Sequence, residues 1–373
     1  MSEPSVQWQE AGEQHSARWY SHSGMAAPAR IRVVDDSLKA DAAYRLACEG
    51  TALLWRGDYH NARQLLQAMA RRIGRKPPKP TSTPAEAFHL HRQAQAQRAR
   101  TLAMLLVPLE ADYRIPLRRA PEVGAACAAL YGPQGVAGLI SLRELQGLIG
   151  AYEWQKQGVE VPALAARIHP QHGVFSPLRG EYVDLVAQAP LPSLELAFDI
   201  GTGSGVLAAM LAKRGVRRIV GTDQDPRALA CAADNLARLG YADQVSLEMA
   251  DLFPNGRAPL IVCNPPWVPA RPSSPLEYAV YDPDSRMLLG FLNGLAAHLS
   301  EGGEGWLIIS DLAEHLGLRS RDFLLQAIAT AGLQVIDRHD IRPRHPKAGD
   351  PSDPLFAARA AEITSLWRLG RRG

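Results

Sequence analysis

Cysteine is scarce in this chain: Cys48, Cys127, Cys231 and Cys263 are the only four in 373 residues. They are scattered without paired spacing, which argues against a disulfide framework and a zinc site and favours a reducing cytoplasm. Long apolar runs are missing, since none approaches the ~20 residues that span a bilayer. The opening stretch, Met1 to Trp8, lacks a basic region followed by an apolar core, so no secretory signal is expected. One-sided charge is missing too, and a net charge of +3 is too small to name a partner. What is present, 46% hydrophobic residues over 373 positions, suits a globular protein with two domains and real cores.

The charge that is there is uneven. From Arg56 to Arg119 the acidic residues are Asp58, Glu86, Glu110 and Asp112, against arginines that recur from Arg56, Arg63, Arg71 and Arg72 to Arg114, Arg118 and Arg119. Such a field would attract RNA, DNA or an acidic ribosomal surface, although helices of an arginine-rich protein expose arginine in any case.

Three regions follow from pattern and composition. Residues 1–40 are polar and without period, which predicts a poorly ordered arm. Residues 41–160 read as mainly helical, with helices over 42–54, 59–73, 86–106 and 142–155 and a proline-rich linker over 75–84. This basic domain is expected to recognise the substrate. Residues 161–373 read as a doubly wound α/β domain.

That last region carries the informative motifs. Leu194 to Asp199 reads as a buried strand, Gly201-Thr202-Gly203-Ser204-Gly205 as a tight turn and Val206 to Arg214 as a helix, so backbone can approach a ligand at the strand's carboxyl end. The spacing departs from the Gly-x-Gly-x-x-Gly dinucleotide fingerprint, which disfavours a nicotinamide cofactor and a hydride-transferring enzyme. A second strand, 218–222, ends in Asp223, an acceptor suited to ribose hydroxyls. A third, 245–248, runs into Asp251-Leu252-Phe253.

A fourth strand, Leu260 to Cys263, runs into Asn264-Pro265-Pro266-Trp267. The Asn264 side-chain carbonyl and the Pro265 backbone carbonyl are two acceptors for a planar –NH2, Pro266 has no N–H to compete, and Trp267 offers a flat face. Cys263 lies inside the strand and reads as a small core residue, not a nucleophile. Strands over 305–310, 333–341 and 362–369 complete a sheet, with helices over 286–299 and 323–330. No crossover helix need separate the last two strands, which predicts an antiparallel pair.

From Leu194 to Trp267 the chain resembles class I S-adenosylmethionine-dependent methyltransferases with an Asn-Pro-Pro-aromatic motif. That group includes HemK-type glutamine methyltransferases acting on release factors and N-methyltransferases acting on bases in DNA and RNA. The resemblance implies a Rossmann-like seven-stranded sheet with an antiparallel last strand over 161–373, and S-adenosylmethionine as cofactor. By resemblance Asp199, Gly201, Thr202, Gly203 and Gly205 surround the methionine part of the cofactor. Asp223 takes the ribose hydroxyls, Asp251 the adenine amino group and Leu252 the adenine edge through its backbone. Asn264, Pro265, Pro266 and Trp267 hold the target amine, with Asn264 also bordering the cofactor. Glu181 matches an acidic residue that precedes a helix in HemK-like enzymes. Arg342 and Arg344, in a basic loop that continues through His345 and Lys347, are candidate substrate contacts, and the proline-rich stretch between Trp267 and Arg286 is placed to form a lid or specificity wall.

The acceptor stays open at this point. Trp267 stands where the glutamine enzymes have Tyr, Val268-Pro269 looks HemK-like, and Gly173-Val174-Phe175-Ser176 looks like a segment of ribosomal RNA guanine methyltransferases. The expected partner is a protein of the translation machinery, or ribosomal or other RNA. A small amine, or a non-catalytic RNA- or ribosome-binding protein with this fold, are the alternatives. His169 and His172 form a potential metal or base pair, but histidine in a turn is more often a surface polar residue.

Overall fold

The structure is a computed structural model describing residues 4–74, 81–177, 180–272, 275–344 and 349–373, with backbone alone at 275–276. The chain divides into two compact units, Met1–Pro80 with His89–Glu153, and Thr81–Phe88 with Trp154–Gly373.

The first unit contains a six-stranded mixed sheet. Its strands are β1 (Ser5–Glu10), β2 (Glu13–Tyr20), β3 (Ile31–Val34), β4 (Ala52–Trp55), β5 (Leu105–Leu109) and β6 (Gly138–Ser141), in the order β1-β2-β6-β5-β4-β3. The β1/β2 and β5/β6 pairs are antiparallel and the others parallel. Two expectations are corrected here. Ser5–Glu10, Glu13–Tyr20 and Ile31–Val34 are sheet strands instead of a poorly ordered arm, with Val6, Trp8, Trp19 and Tyr20 buried. The mainly helical region also holds strands: the helix expected over 42–54 stops at Cys48 before β4, and the one expected over 86–106 stops at Ala103 before β5. Every residue of β4 and β5 is buried, and such short all-apolar runs carry no period that separates strand from helix. The helix Tyr59–Ile73 falls where its pattern places it, capped by the Asp58 carboxylate on the His60 N–H at 2.8 Å. Asp58 also receives the Nε–H groups of Arg118 and Arg119, each at 2.8 Å, which hold its carboxyl far below the usual range. The linker residues 75–80 lie outside the described residues.

The second unit opens with a short antiparallel pair, β7 (Val159–Val161) and β8 (Ala166–Ile168). Its seven-stranded sheet comprises β9 (Leu196–Ile200), β10 (Arg218–Asp223), β11 (Val245–Met249), β12 (Ala258–Cys263), β13 (Leu299–Ser310), β14 (Leu333–Ile341) and β15 (Thr364–Arg371). The order is β11-β10-β9-β12-β13-β15-β14, parallel except for β15, which runs antiparallel to both neighbours. The expected seven-stranded sheet with an antiparallel last strand is therefore present.

Both faces are covered, and the pleat shows how the sequence does it. Ala197, Leu260, Val262, Trp306, Ile308 and Leu366 join one core cluster, while Phe198, Ile200, Ile261, Cys263, Leu307, Ile309 and Trp367 join the other. Successive residues point to opposite layers, so each strand is apolar throughout. The helix Val206–Lys213 lies on the first face, and its residues Val206 to Ala212 are all buried, as expected of a helix apolar all round.

Candidate active site

Strand order reverses between β9 and β12, both of which leave the sheet at the same end. Ligands of open α/β sheets bind outside the carboxyl ends of the strands at such a switch point. Here the glycine turn leaves β9, Asp223 ends β10 and the Asn264-Pro265-Pro266-Trp267 motif leaves β12.

The turn is built around a buried carboxylate. Asp199 Oδ2 accepts the Thr202 hydroxyl at 2.7 Å and the Ala208 N–H at 3.1 Å, tying the turn to the helix that follows. Burial pushes its carboxyl up to about 6, against the pull of those two donors. Gly201, Gly203 and Gly205 have φ of +71°, +56° and +79°, a region that L side chains rarely adopt. A Cβ at Gly201 would stand 2.5 Å from the Cε of Met287. The Gly203 N–H donates to Asp223 Oδ2 at 3.1 Å and the Asp225 N–H to Oδ1 at 3.0 Å. Burial raises the Asp223 carboxyl, and these backbone donors offset part of the shift.

Past β11 the chain is strained. Leu252 has φ +80°, an uncommon value for a residue with a side chain, and the buried Thr222 hydroxyl donates to its carbonyl. Asp251 is exposed and pairs with Arg286, the first residue of the helix Arg286–His298, at 2.7 Å.

These features fit S-adenosylmethionine. The three glycines of the turn leave main chain that the methionine part could approach, and Asp223 retains lone pairs for two hydroxyls. Asp199 faces the turn and the helix, through Thr202 and Ala208.

The acceptor motif is pinned as well. The Trp267 indole N–H donates to Asn264 Oδ1 at 2.9 Å, and the Trp267 carbonyl accepts from Arg319 Nη2 at 3.1 Å. After Trp267, Val268 bridges to Tyr281, and the Asp282 carboxylate caps the helix Arg286–His298 through the Met287 and Leu288 N–H groups at 2.9 and 3.1 Å. Asp284 and Ser285 at this turn have φ of +55° and +53°. Phe88 is buried against Val268, Leu312, Leu316, Leu355 and Ala358, so residues 81–88 belong to this unit's packing.

Of the remaining expected site residues, Glu181 begins the helix Glu181–Gln188 and is buried, and Arg344 reaches Asp184, one turn further on, at 3.5 Å. Arg342 is exposed, and His345, Pro346 and Lys347 lie outside the described residues. His169 Nδ1 is 2.8 Å from the Gln155 carbonyl, and among the described residues no three His, Cys, Asp or Glu side chains are grouped to hold a metal. Burial raises the Cys263 thiol well above its ordinary value, which leaves it a core residue. Sequence reading missed Arg286, Met287, Arg319 and Phe88. Asp282 alone carried a signal, an acidic residue in a Pro/Asp/Ser cluster ahead of a helical run.

Residues 188–265 match the family model described as ribosomal protein L11 methyltransferase (PrmA). The chain is 31% identical over 180 residues to a release factor glutamine methyltransferase from Cereibacter sphaeroides, covering 44% of this chain and 63% of that one. It is 34% identical over 118 residues to a ribosomal protein L11 methyltransferase from Tolumonas auensis, covering 31% and 40%. The chain thus spans less than two thirds of these curated relatives. Among solved structures, the ribosomal protein L11 methylase from Lactobacillus delbrueckii subsp. bulgaricus aligns with TM-score 0.37 at 21% identity, covering 52% of this chain and 79% of that one. In the matched residues and in its strand order, the second unit is similar to class I S-adenosylmethionine-dependent methyltransferase domains.

Proposed function

We propose that this protein methylates a planar nitrogen with S-adenosylmethionine as donor, and that the nitrogen is a side-chain amide of a translation-machinery protein in the cytoplasm. The observation that carries the reading is the end of β12, where the Asn264 side-chain carbonyl holds the Trp267 indole N–H at the switch point, with Pro265 and Pro266 between them in the chain. Relatives named for a release factor and for ribosomal protein L11 support a protein acceptor. A ribosomal RNA base is the second reading, favoured by the arginines between Arg56 and Arg119. The first unit serves in either case as the substrate-recognition domain.

When bound, the cofactor supplies an electrophilic methyl group. The residues of the chain do the rest. Asp199 fixes Thr202 and the helix start, the glycine turn brings backbone close, and Asp223 and Leu252 set the depth of the nucleoside. An amide nitrogen is a poor nucleophile because its lone pair is delocalised. Asn264 Oδ1 and the Pro265 carbonyl accept its two N–H bonds, which turns the lone pair toward the methyl group and stabilises positive charge developing on nitrogen. An amide oxygen has two lone pairs, so Asn264 can hold the indole N–H and the substrate together. The proton leaves after transfer and no strong base is needed.

The test is label transfer from tritiated S-adenosylmethionine into extract from cells lacking the protein, followed by parallel protease and nuclease digestion. Label released by protease is the expected result. Label released by nuclease alone supports the RNA reading, and no label in either, with cofactor binding shown separately, removes both.

A further inference from the structure

Arg319 is an unusual residue for its surroundings. It is 8% exposed, and its Nη2 donates to the Trp267 carbonyl at 3.1 Å. Nη1 is buried and has no hydrogen-bond partner among the described residues. Asp282 and Glu314 are near enough to act on its charge, but neither is hydrogen-bonded to it among the described residues, and the Asp282 carboxylate is engaged with the Met287 and Leu288 N–H groups. A buried guanidinium with an unmet donor is a poor stabiliser, and an apolar side chain of similar volume commonly does as well or better.

The bond through Nη2 lies on a chain that leads to the acceptor motif. Arg319 Nη2 holds the Trp267 carbonyl, and the Trp267 indole N–H holds Asn264 Oδ1 at 2.9 Å. Trp267 is partly buried and borders three separate core clusters, so a shift of its backbone is passed directly to its indole. We infer that Arg319 is a positioning residue for methyl transfer, retained at the expense of stability because it fixes the backbone of Trp267 and, through the indole, the Asn264 carbonyl that receives the target amine. Losing it turns the carbonyl off the line of the amine without disturbing the cofactor cradle, whose bonds run through Asp199, Thr202, Gly203 and Asp223. The inference rests on the proposed transfer to nitrogen.

The experiment uses the full chain with 15N-labelled indoles. The Trp267 N–H signal, one of seven tryptophans, is identified by its loss in Trp267→Phe. Arg319→Met should leave the melting temperature equal or higher and S-adenosylhomocysteine affinity within threefold, move the Trp267 indole signal, and lower label transfer from tritiated S-adenosylmethionine into the protein fraction at least tenfold. Arg319→Lys, which keeps a donor, should restore most of both. An unmoved indole signal, or unchanged transfer, would overturn the inference, as would joint loss of stability and cofactor affinity in both variants. If the wild type transfers no label while the indole signal responds as stated, the transfer reading alone fails and the structural link stands.

Discussion

The hydroxyl of Thr222, at the end of β10, donates to the backbone carbonyl of Leu252, beyond the end of β11. Leu252 holds φ +80°, a conformation that costs an ordinary residue on the order of 1–3 kcal/mol and persists only when its surroundings enforce it. The bond therefore keeps a strained stretch of main chain in place at the cofactor side of the sheet. Thr222→Val keeps the shape and removes the donor. It should lower stability by about 1 kcal/mol and weaken S-adenosylhomocysteine binding by roughly tenfold, which is about 1.4 kcal/mol. Calorimetric titration showing unchanged affinity would detach Leu252 from the cofactor.

Asp199 makes stability depend on pH with a definite sign. Its carboxyl has an ordinary value of 3.8 and is pushed up to about 6 by burial, so between these values the folded chain binds more protons than the unfolded one. Stability then falls as pH rises from about 4 to about 6 and is flat above. At about 1.4 kcal/mol per pH unit, the rise from 3.8 to about 6 amounts to about 3 kcal/mol. Relative to Asp199→Asn, the wild type should lose about that much across the window. Urea midpoints measured for both proteins at the two ends of the window check it, and parallel pH profiles would show that Asp199 does not carry the dependence.

Phe88 precedes the first-unit strand β5 in sequence yet is 3% exposed inside the second unit's packing around Val268. Phe88→Ala should cost about 3–5 kcal/mol through the cavity it leaves. The expected readout is a lower denaturant midpoint for the second unit, together with reduced turnover because Val268 follows Trp267 directly. A loss under about 1 kcal/mol would mean that residues 81–88 contribute little to that unit.

What could be read from sequence follows from which signals are local. Val206 to Lys213 and Leu333 to Ile341 stand close to their expected bounds, because a glycine turn opens one and a strand pattern bounded by breakers defines the other. The first unit's sheet was not legible. Leu53-Leu54-Trp55 and Leu105-Leu106-Val107 are short apolar runs directly behind helices, and they become strands only because distant chain segments pair with them. The same holds at the site. Motifs contiguous in sequence put Asp223 and Asn264 at strand ends, whereas Arg319 and Phe88 reach Trp267 and Val268 through packing between segments far apart in sequence, for which no spacing rule exists.

The most direct test is to compare wild type and Asn264→Ala for methyl transfer and cofactor affinity on the same preparation, with mass-spectrometric location of the added methyl in the protein fraction. The expected result is methyl on a side-chain amide nitrogen, transfer lowered by roughly 100-fold in the variant, and S-adenosylhomocysteine affinity nearly unchanged. Methyl found on oxygen, sulfur or carbon, or a variant that transfers as fast as wild type, would contradict it.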